Sequence, residues 1–295
     1  MFEFESASFR LPSEHWLDET NEKLSRDGML PARRPMEAYR LWCIESNQRI
    51  GLGGEATRVI GEWFAKNTQY GKHVQQPFRQ SVCFFDLSFW EISLPLVYGS
   101  VRIEPLKQIR GMPSVLRERL ARDAVGFEEY FQHFTAAYNF FVSIEKLEGI
   151  KGDGESPLYR EFLAAADRHL LSATSLLLAE NMKAIEDCRH VVELSLKAVL
   201  NVVRGIDESQ LKRKPYNHGL PSTFEAVADC LAPEKMPISV SDLHIFPSIE
   251  VRYQATDFML NDLWQAFKLS QQLATFCMEQ VLTRLMKNKD SEKPW

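Results

Sequence analysis

The chain has 295 residues, of which 45% are hydrophobic and 25% charged, a composition typical of a globular protein with a sizeable core. Its formal net charge of -5 excludes a general attraction to nucleic acid or anionic membrane, so any nucleic-acid contact needs a local basic patch. The N-terminus carries acids and no long apolar run, which excludes a signal peptide, and no segment is long enough to span a bilayer. We therefore expect a cytoplasmic protein with no membrane partner.

Residues 1–150 predict a mostly helical domain of unknown type. Helical periodicity marks 34–50 and 55–67, and 112–147 predicts one short helix followed by one long helix. Residues 81–105 are apolar and aromatic. They fit either a buried helix ending near Pro95 and followed by a strand-like segment, or two strands. Residues 1–150 are therefore compatible with a short β element.

Aromatic residues recur along the predicted long helix at intervals of three or four. This spacing favours packing into a core over a platform on which bases stack. The residues are Phe127, Tyr130, Phe131, Phe134, Tyr138 and Phe141.

The clearest break in the chain is "LEGIKGDGESPLY", residues 147–159, whose glycines, proline and alternating charges predict a linker. We place a domain boundary there, with a second domain over 158–290. In that part, apolar residues at helical spacing predict four helices with short connections, which is typical of an antiparallel bundle. Gly205 is expected to end the second helix, and Ser222 or Thr223 to cap the third.

The stretch 165–200, "AADRHLLSATSLLLAENMKAIEDCRHVVELSLKAVL", resembles the first two helices of HEPN domains. These are small four-helix domains named for nucleotide binding in higher eukaryotes and prokaryotes. The family's second helix carries a glutamate four residues before a lysine and a small residue, which Glu193, Lys197 and Ala198 match. The resemblance covers the C-terminal part of the chain and does not extend to residues 1–150.

Two further matches follow in the family's order. A polar loop leads to a histidine and a leucine at the start of the third helix, as in His218, Gly219 and Leu220. An Arg-Tyr pair, here Arg252 and Tyr253, introduces the last helix. The resemblance implies a homodimer through the C-terminal bundle, a nucleotide or RNA ligand, and a stress, toxin–antitoxin or phage-defence setting with a nucleotidyltransferase or antitoxin partner.

Polar residues also form a stripe along the second helix, since His190, Glu193, Lys197 and Arg204 step by three, four and seven. One interpretation is a Glu193–Lys197 pair on a solvated face. The other is a groove wall completed by the basic loop "KRKPYNHGLP", residues 212–221, and by Arg252. The second interpretation makes the following residues ligand-binding: Glu193, Lys197, Lys214, Tyr216, Asn217, Arg252 and Tyr253.

Arg213 and His218 also have the spacing of the arginine and histidine found in HEPN ribonucleases. In such an enzyme His218 is the general base for the 2′-hydroxyl and Arg213 stabilises the charge that develops on phosphorus. Lys214 stands where those ribonucleases generally have a small polar residue, and Pro215 keeps Arg213 and His218 off one helix face.

Neither a metal nor another cofactor is expected. The five cysteines form no CxxC pair. None of five histidines has a carboxylate or cysteine at ligand spacing, and each is predicted to be a core or surface residue: His15, His73, His133, His169 and His244.

The favoured function is therefore recognition of a nucleotide or RNA by the HEPN-like domain. The alternatives are a metal-independent endoribonuclease that uses Arg213 and His218, and a non-catalytic helical scaffold for protein assembly.

Overall fold

The computed structural model is predominantly helical and contains one small sheet. The residues that it describes are 11–29, 31, 33–47, 55–68, 78–95, 102–149, 157–232, 234–247 and 258–291. Packing divides them into two compact units, one formed by the described residues up to 78 and the other by those from 79 onward. The mostly helical fold class predicted from the sequence is confirmed.

The first unit is built from short amphipathic helices: α1 (Glu14–Arg26), α2 (Arg34–Glu45) and α3 (Glu55–Asn67). The hydroxyl of Ser13 accepts a hydrogen bond from the backbone amide of Trp16 at 3.2 Å, which satisfies one of the unpaired N–H groups where α1 begins. Apolar residues of the three helices pack into one core: Leu17, Leu24, Ala38, Tyr39, Cys43, Ala56, Ile60 and Phe64. The helices predicted within 34–50 and 55–67 are confirmed.

A β-hairpin is formed by β1 (Phe78–Phe85) and β2 (Ser88–Pro95), and it belongs to the second unit from Arg79 onward. The two turn residues, Asp86 and Leu87, have φ angles of 56° and 59°, as a tight two-residue hairpin turn requires. Of the two interpretations of this region, the helical one is wrong, because aromatic and β-branched residues here form paired strands. The strand-like segment predicted after Pro95 lies largely outside the described residues.

The remainder of the described second unit is helical. Its α-helices are α4 (Ser114–Arg122), α5 (Ala124–Gly149), α6 (Leu158–Leu178), α7 (Ala184–Arg204), α8 (Glu208–Leu211), α9 (Leu220–Leu231) and α10 (Leu260–Ser291). Two 3-10 helices accompany them, Pro105–Gln108 and Val240–Ile245. Gly205 ends α7 with a left-handed φ of 65°, as predicted. Among the described residues, no helix is both long and apolar enough to cross a bilayer.

Helix α7 lies at the centre of the second unit, and most of its residues from 184 to 200 are buried. It packs against α6, α9 and α10, which with α7 itself are the helices predicted for the C-terminal part of the chain. Helix α10 packs in turn against α5, and β2 packs against α5 and α6. The guanidinium of Arg79 in the hairpin also pairs with Asp167 of α6.

This packing differs from the predicted division of the chain into 1–150 and 158–290. The hairpin and α5 lie in the same compact unit as α6 to α10, so the observed division falls at residue 78. The physical reason is burial: α5 covers apolar surface of α10 that two separately folded domains would leave exposed to water.

Candidate functional site

The polar stripe of α7 is not solvated at its middle. The side chains of Glu193 and Lys197 are only 7% and 10% exposed, and the Lys197 ammonium donates a 2.7 Å hydrogen bond to Glu193 Oε1. The interpretation that this pair lies on a solvated face is therefore wrong, because α6, α9 and α10 pack against α7 and His218 of the loop after α8 contacts Glu193. A buried ion pair has to be completed by further polar groups, since water no longer solvates it.

The imidazole of His218 supplies such a group. Its Nδ1 lies 3.3 Å from the second carboxylate oxygen, Glu193 Oε2, so Glu193 is held between an ammonium and an imidazole. The His218 side chain remains 50% exposed. The histidine of the basic loop and the glutamate of α7, 25 positions apart in the chain, therefore meet at the surface of the helical core.

Neighbouring charges explain why Glu193 is ionised. Burial by itself raises the pKa of Glu193, but the hydrogen bond and charge of Lys197, together with His218, outweigh it and lower the pKa below its ordinary 4.5. Glu193 is therefore a carboxylate at neutral pH. When an imidazole donates Nδ1–H to a carboxylate, its Nε2 carries a lone pair that accepts a proton or a hydrogen bond.

Arg189 fixes the backbone around His218. One terminal nitrogen of its guanidinium, Nη2, donates a 2.7 Å hydrogen bond to the carbonyl oxygen of His218, and Nη1 donates at 3.2 Å to the carbonyl oxygen of Pro247. His218 has a left-handed φ of 61°, a conformation in which Asn, Asp and His are the commonest residues after Gly. Arg189 was not among the predicted site residues, and the sequence signal for it is an arginine within an otherwise apolar helical pattern.

The junction between the loop and α9 is equally compact. A Cβ atom at Gly219 would lie 2.5 Å from the carbonyl oxygen of Pro215 and 2.7 Å from Ser222 Oγ, so a glycine is needed for close approach. The predicted cap at Ser222 or Thr223 is wrong. Helix α9 begins at Leu220, and both hydroxyls lie inside it and donate to the carbonyl oxygen of Gly219.

The other loop residues predicted as a site lie around His218 without contacting Glu193. Lys214 and Asn217 are exposed, and Tyr216 is half-buried with its side chain packed against the core. Arg213 is exposed and forms no side-chain hydrogen bond or ion pair among the described residues; its charge acts on Asp207, whose pKa is lowered first by hydrogen bonds from Gln210 and Ser209.

Arg213 and His218 are thus neighbours in one loop, but no contact joins their side chains in the described part of the chain. The cation that is fixed to His218 is Arg189 instead, and it acts on the backbone. Arg252 and Tyr253 lie outside the described residues.

Two of the five histidines predicted to have no carboxylate at ligand spacing do lie beside one. Within α1, His15 Nε2 lies 3.5 Å from Glu19 Oε1. His169 Nδ1 of α6 lies 2.7 Å from Asp187 Oδ1 of α7, and His190 lies alongside. The sequence pattern missed the His169 contact because the α6–α7 hairpin, not short-range spacing, brings the groups together. The prediction for His133 is confirmed, since its side chain is fully buried.

The aromatic run of α5 packs mainly into the core, as predicted. Tyr130, Phe134 and Phe141 are buried, whereas Phe131 is 43% exposed beside an open groove of about 460 Å³. Glu128 and Glu279 also line this groove. Two carboxylates next to the exposed ring repel phosphate, which argues against base stacking at this surface.

Comparison of the chain with protein-family models, with curated proteins and with solved structures found no match.

Proposed function

We propose that the loop 212–219, with His218 at its end, binds the phosphate groups of a nucleotide or RNA within a HEPN-like C-terminal domain. The observation that carries this proposal is the pairing of a half-exposed imidazole with a buried, ionised glutamate. A hydrogen bond to a buried carboxylate orients the ring and leaves its second nitrogen available to a ligand.

Local charge supports an anionic ligand. Lys212, Arg213 and Lys214 are consecutive and exposed, although the whole chain is acidic. Lys212 pairs with Glu208 at 2.6 Å, an exposed contact that a phosphate readily replaces. Cations on exposed side chains supply most of the affinity of non-specific nucleic-acid binding, and that affinity falls steeply with salt.

Most of the predicted ligand-binding residues have a role in this proposal. Lys214 and Asn217 contact the ligand directly. Glu193 and Lys197 do not contact it, and their role is to orient His218. Tyr216 anchors the loop, because its ring packs against the core. Arg252 and Tyr253 stay predictions that rest on the family resemblance.

A second candidate is a metal-independent endoribonuclease, and the Glu193–His218 hydrogen bond favours it. His218 Nε2 takes the proton of a ribose 2′-hydroxyl, the 2′-oxygen attacks phosphorus, and the bond to the 5′-oxygen breaks to give a 2′,3′-cyclic phosphate. The leaving 5′-oxygen takes up a proton from water or an acidic group. Arg213 has no side-chain partner in the described part of the chain, so its guanidinium can move onto the charged phosphorane.

The third candidate is a helical scaffold without a small ligand. The homodimer, the nucleotidyltransferase or antitoxin partner, and the stress or phage-defence setting remain implications of the resemblance. Light scattering of the purified protein measures the oligomeric state directly.

The test uses labelled single-stranded RNA and a labelled nucleotide, with binding followed by fluorescence anisotropy at about 50 and about 200 mM salt. We expect RNA or nucleotide to bind, and binding to weaken at least about tenfold when Lys212, Arg213 and Lys214 are all replaced by Ala. The charge-matched control replaces three exposed cations of the first unit: Arg40, Arg58 and Lys66. If neither probe binds at either salt concentration, the scaffold is favoured.

Cleavage is tested separately by incubating unlabelled protein with labelled RNA in EDTA. His218→Asn removes the imidazole but keeps a residue that tolerates the left-handed backbone. His15→Asn is its matched control, because His15 is an exposed histidine beside a glutamate in the other unit. Cleavage by the control but not by His218→Asn identifies the nuclease, and equal cleavage by both removes it.

A further inference from the structure

The hairpin of α6 and α7 brings three potential metal ligands together on its surface. His169 of α6 and Asp187 and His190 of α7 each present one ligand atom, and these atoms lie within 4.8 Å of one another. His169 Nδ1 and Asp187 Oδ1 are 2.7 Å apart, and the His169 and His190 rings are 4.8 Å apart between centroids. This is the only such group of three among the described residues.

Helix geometry explains the arrangement. Asp187 and His190 are three positions apart, so they lie on the same face of α7. The short connection 179–183 makes α6 and α7 neighbours, and α6 packs along α7. This packing places His169 level with Asp187 and His190. Because both helices are fixed by a buried core, the Cα positions of the three residues are set before any ligand arrives.

The donor set suits a first-row divalent ion. Imidazole nitrogens and a carboxylate oxygen are ligands of Zn²⁺, at about 2.0 to 2.2 Å from the metal. In a tetrahedral site such bonds put neighbouring ligand atoms about 3.3 Å apart. The 2.7 Å His169–Asp187 contact therefore widens on binding, while ligand atoms up to 4.8 Å apart move closer together. Rotation of the side chains achieves both changes, since the His169 and Asp187 side chains remain 34% and 17% exposed.

A supporting residue holds the carboxylate. The side chain of Ser172, one turn along α6 from His169, hydrogen-bonds to Asp187. Hydrogen bonds of this kind orient metal ligands and add to affinity. Three protein ligands at a half-buried site leave a fourth position for water or a ligand, which is the arrangement of reactive rather than purely structural zinc sites.

We propose that His169, Asp187 and His190 bind a divalent transition-metal ion such as Zn²⁺ with an open coordination position. His190 and Glu193 are one turn apart on α7. Binding of this ion does not depend on the loop 212–219 or on nucleic acid, and it is tested without either.

The experiment uses tag-free protein that has been stripped of metal with a chelator and then titrated with Co²⁺. Co²⁺ is chosen because its visible absorption reports coordination by protein ligands, and Zn²⁺ is then added to displace it. We expect saturation at one equivalent, loss of the absorption on adding Zn²⁺, and a higher melting temperature with metal. Mass spectrometry for bound metal in the untreated protein gives a second readout.

Two variants remove ligands with little change of shape. His190→Phe keeps the ring packing against His169, and Asp187→Asn keeps a hydrogen-bond acceptor. Each is expected to raise the dissociation constant for Co²⁺ at least about tenfold. His244→Phe, at an exposed histidine in a 3-10 helix, is expected to leave it unchanged.

The competing explanation is a hydrogen-bonded His169–Asp187 pair that only joins α6 to α7. In that case wild-type protein shows no saturable Co²⁺ absorption, or both variants bind as the wild type does, and either result overturns the metal site. If circular dichroism shows that a variant is unfolded, His190→Gln replaces it. The Co²⁺ titration of the wild-type protein still tests whether the metal site exists.

Discussion

The guanidinium of Arg189 donates a 2.7 Å hydrogen bond to the carbonyl oxygen of His218. This contact joins the centre of the helical core to the end of a cationic loop. Because Arg189 is itself buried and also donates to the carbonyl oxygen of Pro247, it ties two separate loops to one turn of α7.

Replacement of Arg189 by Gln is therefore expected to loosen both loops. Hydrogen bonds from a charged donor contribute about 1.5 to 3 kcal/mol each, so Arg189→Gln is expected to lower the free energy of unfolding by roughly 2 to 4 kcal/mol. Urea unfolding followed by circular dichroism measures the change. Arg168→Gln, at an exposed position of α6, is the control and is expected to change stability by less than about 0.5 kcal/mol. Equal losses in both variants would contradict the role given to Arg189.

The buried Glu193–Lys197 pair predicts a coupled pair of substitutions. Glu193→Gln leaves a buried ammonium without its carboxylate, and Lys197→Met leaves a buried carboxylate without its ammonium. Each single change is expected to cost about 3 to 5 kcal/mol of folding stability, and the double variant clearly less than their sum. A double-mutant cycle in urea yields the coupling energy. Strict additivity would show that the two side chains do not interact as described.

Acid stability should depend on His133. Complete burial lowers the pKa of His133 to about 3 from its usual 6.5, against a hydrogen bond to the backbone of Val82 that raises it. In the unfolded state His133 therefore binds a proton below about pH 6.5, whereas in the folded state it binds one only below about pH 3. Stability is therefore complete above pH 6.5 and falls as the pH is lowered, by at most about 1.4 kcal/mol per pH unit from this group.

The measurement is the free energy of unfolding across this pH range for wild type and for His133→Gln. The variant is expected to be less stable at neutral pH, because a core contact is changed, but to have a shallower slope with pH. His244→Gln, at an exposed histidine, is expected to keep the wild-type slope. An unchanged slope in His133→Gln would assign the acid sensitivity to other groups.

Two glycines are predicted to respond to alanine in opposite directions. Gly219→Ala puts a Cβ atom 2.5 Å from the carbonyl oxygen of Pro215, so the loop has to shift and the second unit is destabilised, by about 1 to 3 kcal/mol. Gly61→Ala, within α3 with no atom within 4 Å of the new methyl group, is expected to stabilise the first unit by about 0.5 to 1 kcal/mol. Melting curves of the two variants test both signs.

Local patterns in the sequence predict much of the fold. Apolar residues at intervals of three and four predict α2, α3, α5, α7 and α10, and a glycine predicts the end of α7. These predictions succeed because each depends on one helix face or one backbone conformation, which neighbouring residues determine. The 81–105 segment remained ambiguous for the same reason, since a continuous apolar run has no period that separates a buried helix from paired strands.

The tertiary structure alone decided which faces meet. The amino-acid sequence by itself determined a helical chain with a cationic loop around His218. It did not determine that Glu193 is buried, that Arg189 holds the loop, that α5 joins the C-terminal helices, or that His169 meets Asp187 and His190. These facts depend on groups distant in the chain, and periodicity reports the apolar face of a helix but not the surface that covers it.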